Sequence, residues 1–88
     1  MADIKTNAGF EIIAEMEIPF EDSKDSTEGV VLGHKVKTYH EEWVTWHFTK
    51  YPDAERSYFW GHYIINRRDA LVDYHERCLN LLKTSAYK

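Results

Sequence analysis

At 88 residues, 30% charged and with a formal net charge of −4, the chain (1–88) is sized for a single domain. It is also too acidic for binding that rests on neutralising phosphates, so direct nucleic-acid binding is not expected. The one cysteine excludes an internal disulfide, and no stretch approaches 18 apolar residues in a row, which argues against a disulfide scaffold and a membrane span.

The start, M-A-D-I-K-T, lacks the apolar centre of a signal peptide, and residues 1–8 read as a frayed terminus. A cytoplasmic protein with Cys78 reduced is therefore expected. Phe10, Ile12, Ala14, Met16 and Ile18 then alternate with Glu11, Ile13, Glu15 and Glu17. That period predicts a half-buried strand whose acidic outer side is interrupted by Ile13. Pro19 is expected to end it, because proline cannot donate to a ladder, and residues 19–28 read as an acidic loop. Residues 1–28 hold eight acids against two lysines, whereas the rest of the chain carries a small basic excess. Such a block either solvates its face or docks on a basic surface of a partner. Glu21, Asp22, Asp25 and Glu28 are the candidate acidic rim.

Gly29 opens a second strand, V-V-L-G-H-K-V, in which Gly33 signals a bulge or a close backbone approach. Thr38–Glu42 is a turn, and W-V-T-W-H-F-T (43–49) is a third strand. Pro52 and Asp53 mark the next turn. From Arg56 the composition is aromatic and β-branched for about ten residues, a fourth strand. Asn66 stands at an N-cap position, with Asp69 three residues on. Beyond it Leu71, Tyr74, Cys78, Leu81 and Leu82 recur at helical spacing, predicting a helix over 66–83. The expected fold class is α+β: a four-stranded, mainly antiparallel meander packed under one C-terminal helix (β-β-β-β-α). Thirteen aromatic residues (three Trp, six Tyr, four Phe) suit the dense core such a small domain needs.

Gly61 belongs to the alternating set Phe59, Gly61, Tyr63, Ile65. A strand glycine is best tolerated beside a covering cross-strand aromatic, here Trp46. This assigns Val44, Trp46, Phe48, Phe59 and Tyr63 to the core beneath the helix. It leaves Trp43, Thr45, His47, Tyr58, Trp60 and His62 on the open side. A contiguous aromatic and histidine patch of that kind marks an interface, so Trp43, His47, Tyr58, Trp60 and His62 are the candidate partner-binding residues. A second copy of the chain, as a homodimer, could equally cover that face.

No Gly-rich phosphate loop, nucleophile elbow or paired-carboxylate signature is present, so an enzyme is not expected. His75 and Cys78 have ligand spacing on one helix face, but no second pair accompanies them; neither a metal nor a cofactor is expected. Arg67 and Arg68 sit in the first helical turn, where backbone N–H groups favour anions. With Trp60 to stack on a base they form the alternative reading, a module that captures a nucleotide or other anion.

G-F-E-I-I (9–13), V-L-G-H (31–34), W-V-T-W (43–46) and Y-F-W-G-H-Y (58–63), with Ala70, Asp73 and Arg77 in the helix, resemble a family of small proteins. That family is one of bacteriophages and mobile elements in gut Firmicutes-type bacteria. The resemblance implies no reaction and no site residues. It implies a context: a small acidic protein in the cytoplasm of a bacterial host, inhibiting a defence nuclease or other effector in an anti-CRISPR-like manner.

Overall fold

The structure is a computed structural model, and it describes residues 5–20 and 23–86. Five strands and a helix follow in chain order: β1 (Thr6–Asn7), β2 (Phe10–Phe20), β3 (Ser23–Val36), β4 (Glu41–Lys50), β5 (Ser57–Ile64) and α1 (Arg67–Ala86). The strands make one antiparallel sheet in sequence order, with β1 and β5 at its edges. The α+β class and the C-terminal helix agree with the sequence reading, but the sheet has five strands rather than four. The extra one comes from the segment read as frayed. Ala8 (φ 52°) and Gly9 (φ 84°) are both left-handed, the conformation a two-residue hairpin turn demands, and they fold Thr6 and Asn7 back onto Glu11 and Phe10.

The acidic loop expected over 19–28 is instead the closing end of a long β2–β3 hairpin. Pro19 lies opposite Thr27, and Phe20 opposite Ser23. Proline is tolerated there because β1 pairs only with Phe10 and Glu11, which leaves the far end of β2 an open edge. Glu21 and Asp22 lie outside the described residues.

Two single-residue insertions decide which side chains meet. β3 and β4 keep one register from Thr27 opposite Lys50 to Val36 opposite Glu41. β2, by contrast, carries an extra residue between Ile12 and Ala14, and β5 carries one in the stretch facing Trp46. Because strand side chains alternate, each insertion moves everything beyond it to the opposite face. Phe10 and Ile12 therefore pack with Val31, Val44, Trp46 and Phe48 on one face. Ala14, Met16 and Ile18 pack with Val30, Leu32 and Trp43 on the other, against Ala70, Tyr74 and Leu81 of α1.

The helix thus covers the Trp43 face, the reverse of the expected assignment. The cross-strand pairing behind that assignment was nonetheless sound: a Cβ at Gly61 would come within 2.8 Å of Trp46 Nε1. The inward line of α1 is Ala70, Tyr74, Arg77 and Leu81, a helical repeat. Leu71 and Cys78 flank it half-buried, while Leu82, expected inside, is 46% exposed. Asn66 caps the helix, accepting from the Asp69 N–H at 2.8 Å while its amide donates to the Asp69 carboxylate at 2.7 Å.

The other face has no helix, yet Trp46 and Phe48 are buried. Part of the cover is Arg56. Its guanidinium lies 4.2 Å from the centre of the Phe48 ring and donates to both Glu15 oxygens at 3.0 Å and to Glu17 at 2.9 Å. Those bonds hold the Glu15 carboxyl below its usual range, against the opposing effect of burial. A planar cation can lie flat on a ring and still bond in its own plane, so one side chain both shields the core and satisfies the acids of β2.

Candidate functional site

The insertion in β5 falls beside Trp60, which takes φ 55°. A bulky residue in the left-handed region costs on the order of 1 kcal/mol or more, and bulges characteristically re-aim a side chain. The result is an indole that is 71% exposed yet held by its neighbours. Its ring meets Phe59 edge-on at 4.9 Å and His47 edge-on at 5.5 Å, while His47 stacks on Phe59 at 6.1 Å. These three rings form one wall of a pocket of about 310 Å³ between the sheet and the last turns of α1, lined also by Glu28, Asn80 and Leu81.

Next to the pocket, a polar group lies between sheet and helix. The Thr45 hydroxyl donates to Asp73, and the same carboxylate stands 3.0 Å from His62 Nδ1 and 3.4 Å from Arg77 Nε. Burial works against the Asp73 charge, but the bonds from Thr45 and His62 outweigh it and keep the carboxyl below its usual range. Arg77 is only 8% exposed, and its Nε and Nη1 have no hydrogen-bond acceptor among the described residues. Burial pushes the His47 imidazole down, and the neighbouring Arg77 charge pushes the same way. The His47 imidazole at the pocket wall thus takes up a proton less readily than a free one.

The structure divides the residues predicted as a single patch. His47, Trp60 and His62 lie together on the helix side of β4 and β5. Trp43, expected on an open surface, is 6% exposed in the core under α1. Tyr58 faces the opposite side, its ring 5.7 Å from Trp46 and 6.0 Å from Phe48, because the β5 insertion lies between it and His62. Of the acidic rim, Glu28 lines the pocket and Asp25 is exposed in the hairpin. Arg67 and Arg68 are exposed in the first turn of α1. Trp60 stands beside Asn80 and Leu81 instead, about 20 Å further along the helix at 1.5 Å per residue. The arginines and the indole therefore do not converge on one anion.

Sequence reasoning missed Phe59, Asn80 and Leu81 as pocket residues and gave Arg77 and Asp73 no role. A signal for the last two existed. Asp73 and Arg77 are an i, i+4 acid–base pair on the same helix side as Ala70, Tyr74 and Leu81. Phe59 could be found only by placing the bulge. Comparison with family models, with curated proteins and with solved structures finds no match for this chain.

Proposed function

We propose that this is a non-catalytic protein-binding protein whose contact surface is the Trp60 pocket and its rim. The observation that carries the reading is Trp60 itself. A large aromatic side chain is displayed to solvent from a bulge in a backbone conformation that costs free energy, and stability of the fold does not call for that. Aromatic anchors dominate interface energetics, and truncating one at a packed centre costs about 2–4 kcal/mol. The open edge of β5 adjoins the same rim. The resemblance to phage and mobile-element proteins makes a bacterial defence nuclease or effector the partner class, with inhibition by occupancy as the mode of action.

The test has two stages. Bacteria carrying individual nuclease-based defence systems are challenged with phage while expressing the protein or its Trp60→Ala variant, folding of the variant being checked first. The reading expects phage growth to be restored in at least one system by the natural chain and not by the variant. Affinity of the purified pair should then fall by about 30-fold or more on Trp60→Ala, the equivalent of some 2 kcal/mol. Restoration by the natural chain and the variant alike would remove Trp60 from the contact; restoration in no system would remove the anti-defence role.

The nucleotide alternative has less to stand on, since Trp60 and the arginine pair lie apart. The N–H of Asp69 is also already occupied by Asn66, and the Asp69 carboxylate faces the same turn.

A further inference from the structure

Resting on that reading of the Trp60 face as the contact surface, we infer that the pocket takes a cationic side chain of the partner, in the first place an arginine. Three independent features converge on this. The first is the wall of rings. His47, Phe59 and Trp60 are packed edge-on and stacked, so each is held in place by another. Aromatic faces attract a guanidinium through the ring quadrupole, tryptophan most strongly.

The second is an unbalanced charge. Glu28 lines the pocket and makes no ion pair or side-chain hydrogen bond among the described residues, whereas Glu15 and Glu17 of the same hairpin are both bound to Arg56. Among the described residues no lysine or arginine lines the pocket. Lys50, close by in β4, donates to the Tyr51 carbonyl at 2.8 Å. Arg77, under the helix, faces Asp73, so among the described residues Glu28 is the carboxylate the pocket presents.

The third is size. A volume of about 310 Å³ is at the bottom of the range for small-molecule sites, roughly 300–1,000 Å³, and suits one long side chain with an apolar stem. Leu81 offers that stem an apolar contact, while Asn80 and Glu28 offer acceptors to the head. Arginine fits better than lysine, because its planar fork can stack on an indole and bond a carboxylate at the same time. The net charge of −4 would bring a basic surface toward this face before docking.

The probe is the capped tripeptide acetyl-Gly-Arg-Gly-amide, compared with its citrulline counterpart, which keeps the shape and hydrogen-bonding plane but loses the charge. Each is titrated into the full chain while the Trp60 indole N–H resonance is followed. The arginine peptide should give a saturable shift. Binding should be at least five-fold weaker for the citrulline peptide, and at least five-fold weaker for the arginine peptide on Glu28→Gln, a change at a half-exposed position that leaves the core intact. Equal responses to the two peptides, no effect of Glu28→Gln, or no shift of Trp60 with either peptide would each overturn the inference. The two proposals fail separately. If the arginine peptide leaves Trp60 unmoved while Trp60→Ala still abolishes partner binding, the contact surface stands and its cationic ligand does not. If the peptide binds as expected but Trp60→Ala leaves partner affinity unchanged, the pocket stands and the contact surface moves elsewhere.

Discussion

Arg56 and Arg77 each lie across one face of the same sheet, but their surroundings differ in kind. Arg56 rests on Phe48, spends its donors on Glu15 and Glu17, and keeps 14% of its side-chain surface exposed. Arg77 is enclosed between sheet and helix, has one carboxylate at 3.4 Å, and leaves Nε and Nη1 without hydrogen-bond acceptors among the described residues. A buried charge whose donors are unmet contributes little to stability, because its desolvation cost is not recovered. The face without a helix is therefore the better-satisfied one. The helix-covered face retains a polar group that its packing does not require, and it is also the face that opens into the Trp60 pocket.

The largest effect should come from the apolar face. Phe48 is fully buried against Val44, Trp46 and the Arg56 guanidinium, so Phe48→Ala should cost about 3–5 kcal/mol in urea unfolding, a large fraction of a small domain's stability. The two arginines come next. Methionine keeps most of the arginine stem's volume and removes the charge. Arg56→Met should lose about 2 kcal/mol, because Glu17 is left without its cation and Glu15 with Lys5 alone. Arg77→Met should be neutral within about 1 kcal/mol, or stabilising. Equal losses for the two variants would show that Arg77 is satisfied in solution and would erase the contrast.

The smallest effect is in pH. His47 has its affinity for protons below the ordinary value of 6.5, so the folded chain binds fewer protons there than the unfolded one. That part of the stability is complete above 6.5 and is lost as the pH falls from there. Glu15 is held charged below its usual 4.5, and its contribution is lost only as the pH falls below that value. Urea midpoints from pH 8 to pH 3 should thus show the helix-covered face weakening first. His47→Gln should flatten the upper part of the curve and leave the lower part; an unchanged upper part would mean that His47 titrates normally.

The helix was legible in the sequence because its signals are local. Asn66 and Asp69 form the predicted cap, and the stripe through Tyr74 and Cys78 does turn inward. The strands were legible by composition and the meander by its turns, apart from β1, whose turn depends on an alanine in a left-handed conformation that alanine seldom adopts. What alternation could not supply was facing. One added residue in β2 and one in β5 reverse the parity of everything beyond them, and nothing in F-E-I-I-A or Y-F-W-G-H marks which residue is the extra one. The predicted patch accordingly mixed residues from both faces. Trp43 went to the core and Tyr58 to the far side, while Phe59, assigned to the core, became a wall of the pocket.

That facing is the central claim, and the most direct test is a nuclear Overhauser measurement between the sheet and α1. Asp73 and Tyr74 should show cross-peaks to the Thr45 methyl and the Trp43 ring, and Leu81 to the ring of Phe59 or Trp60. Cross-peaks from α1 to the Trp46 and Phe48 rings in their place would put the helix on the other face and contradict the account.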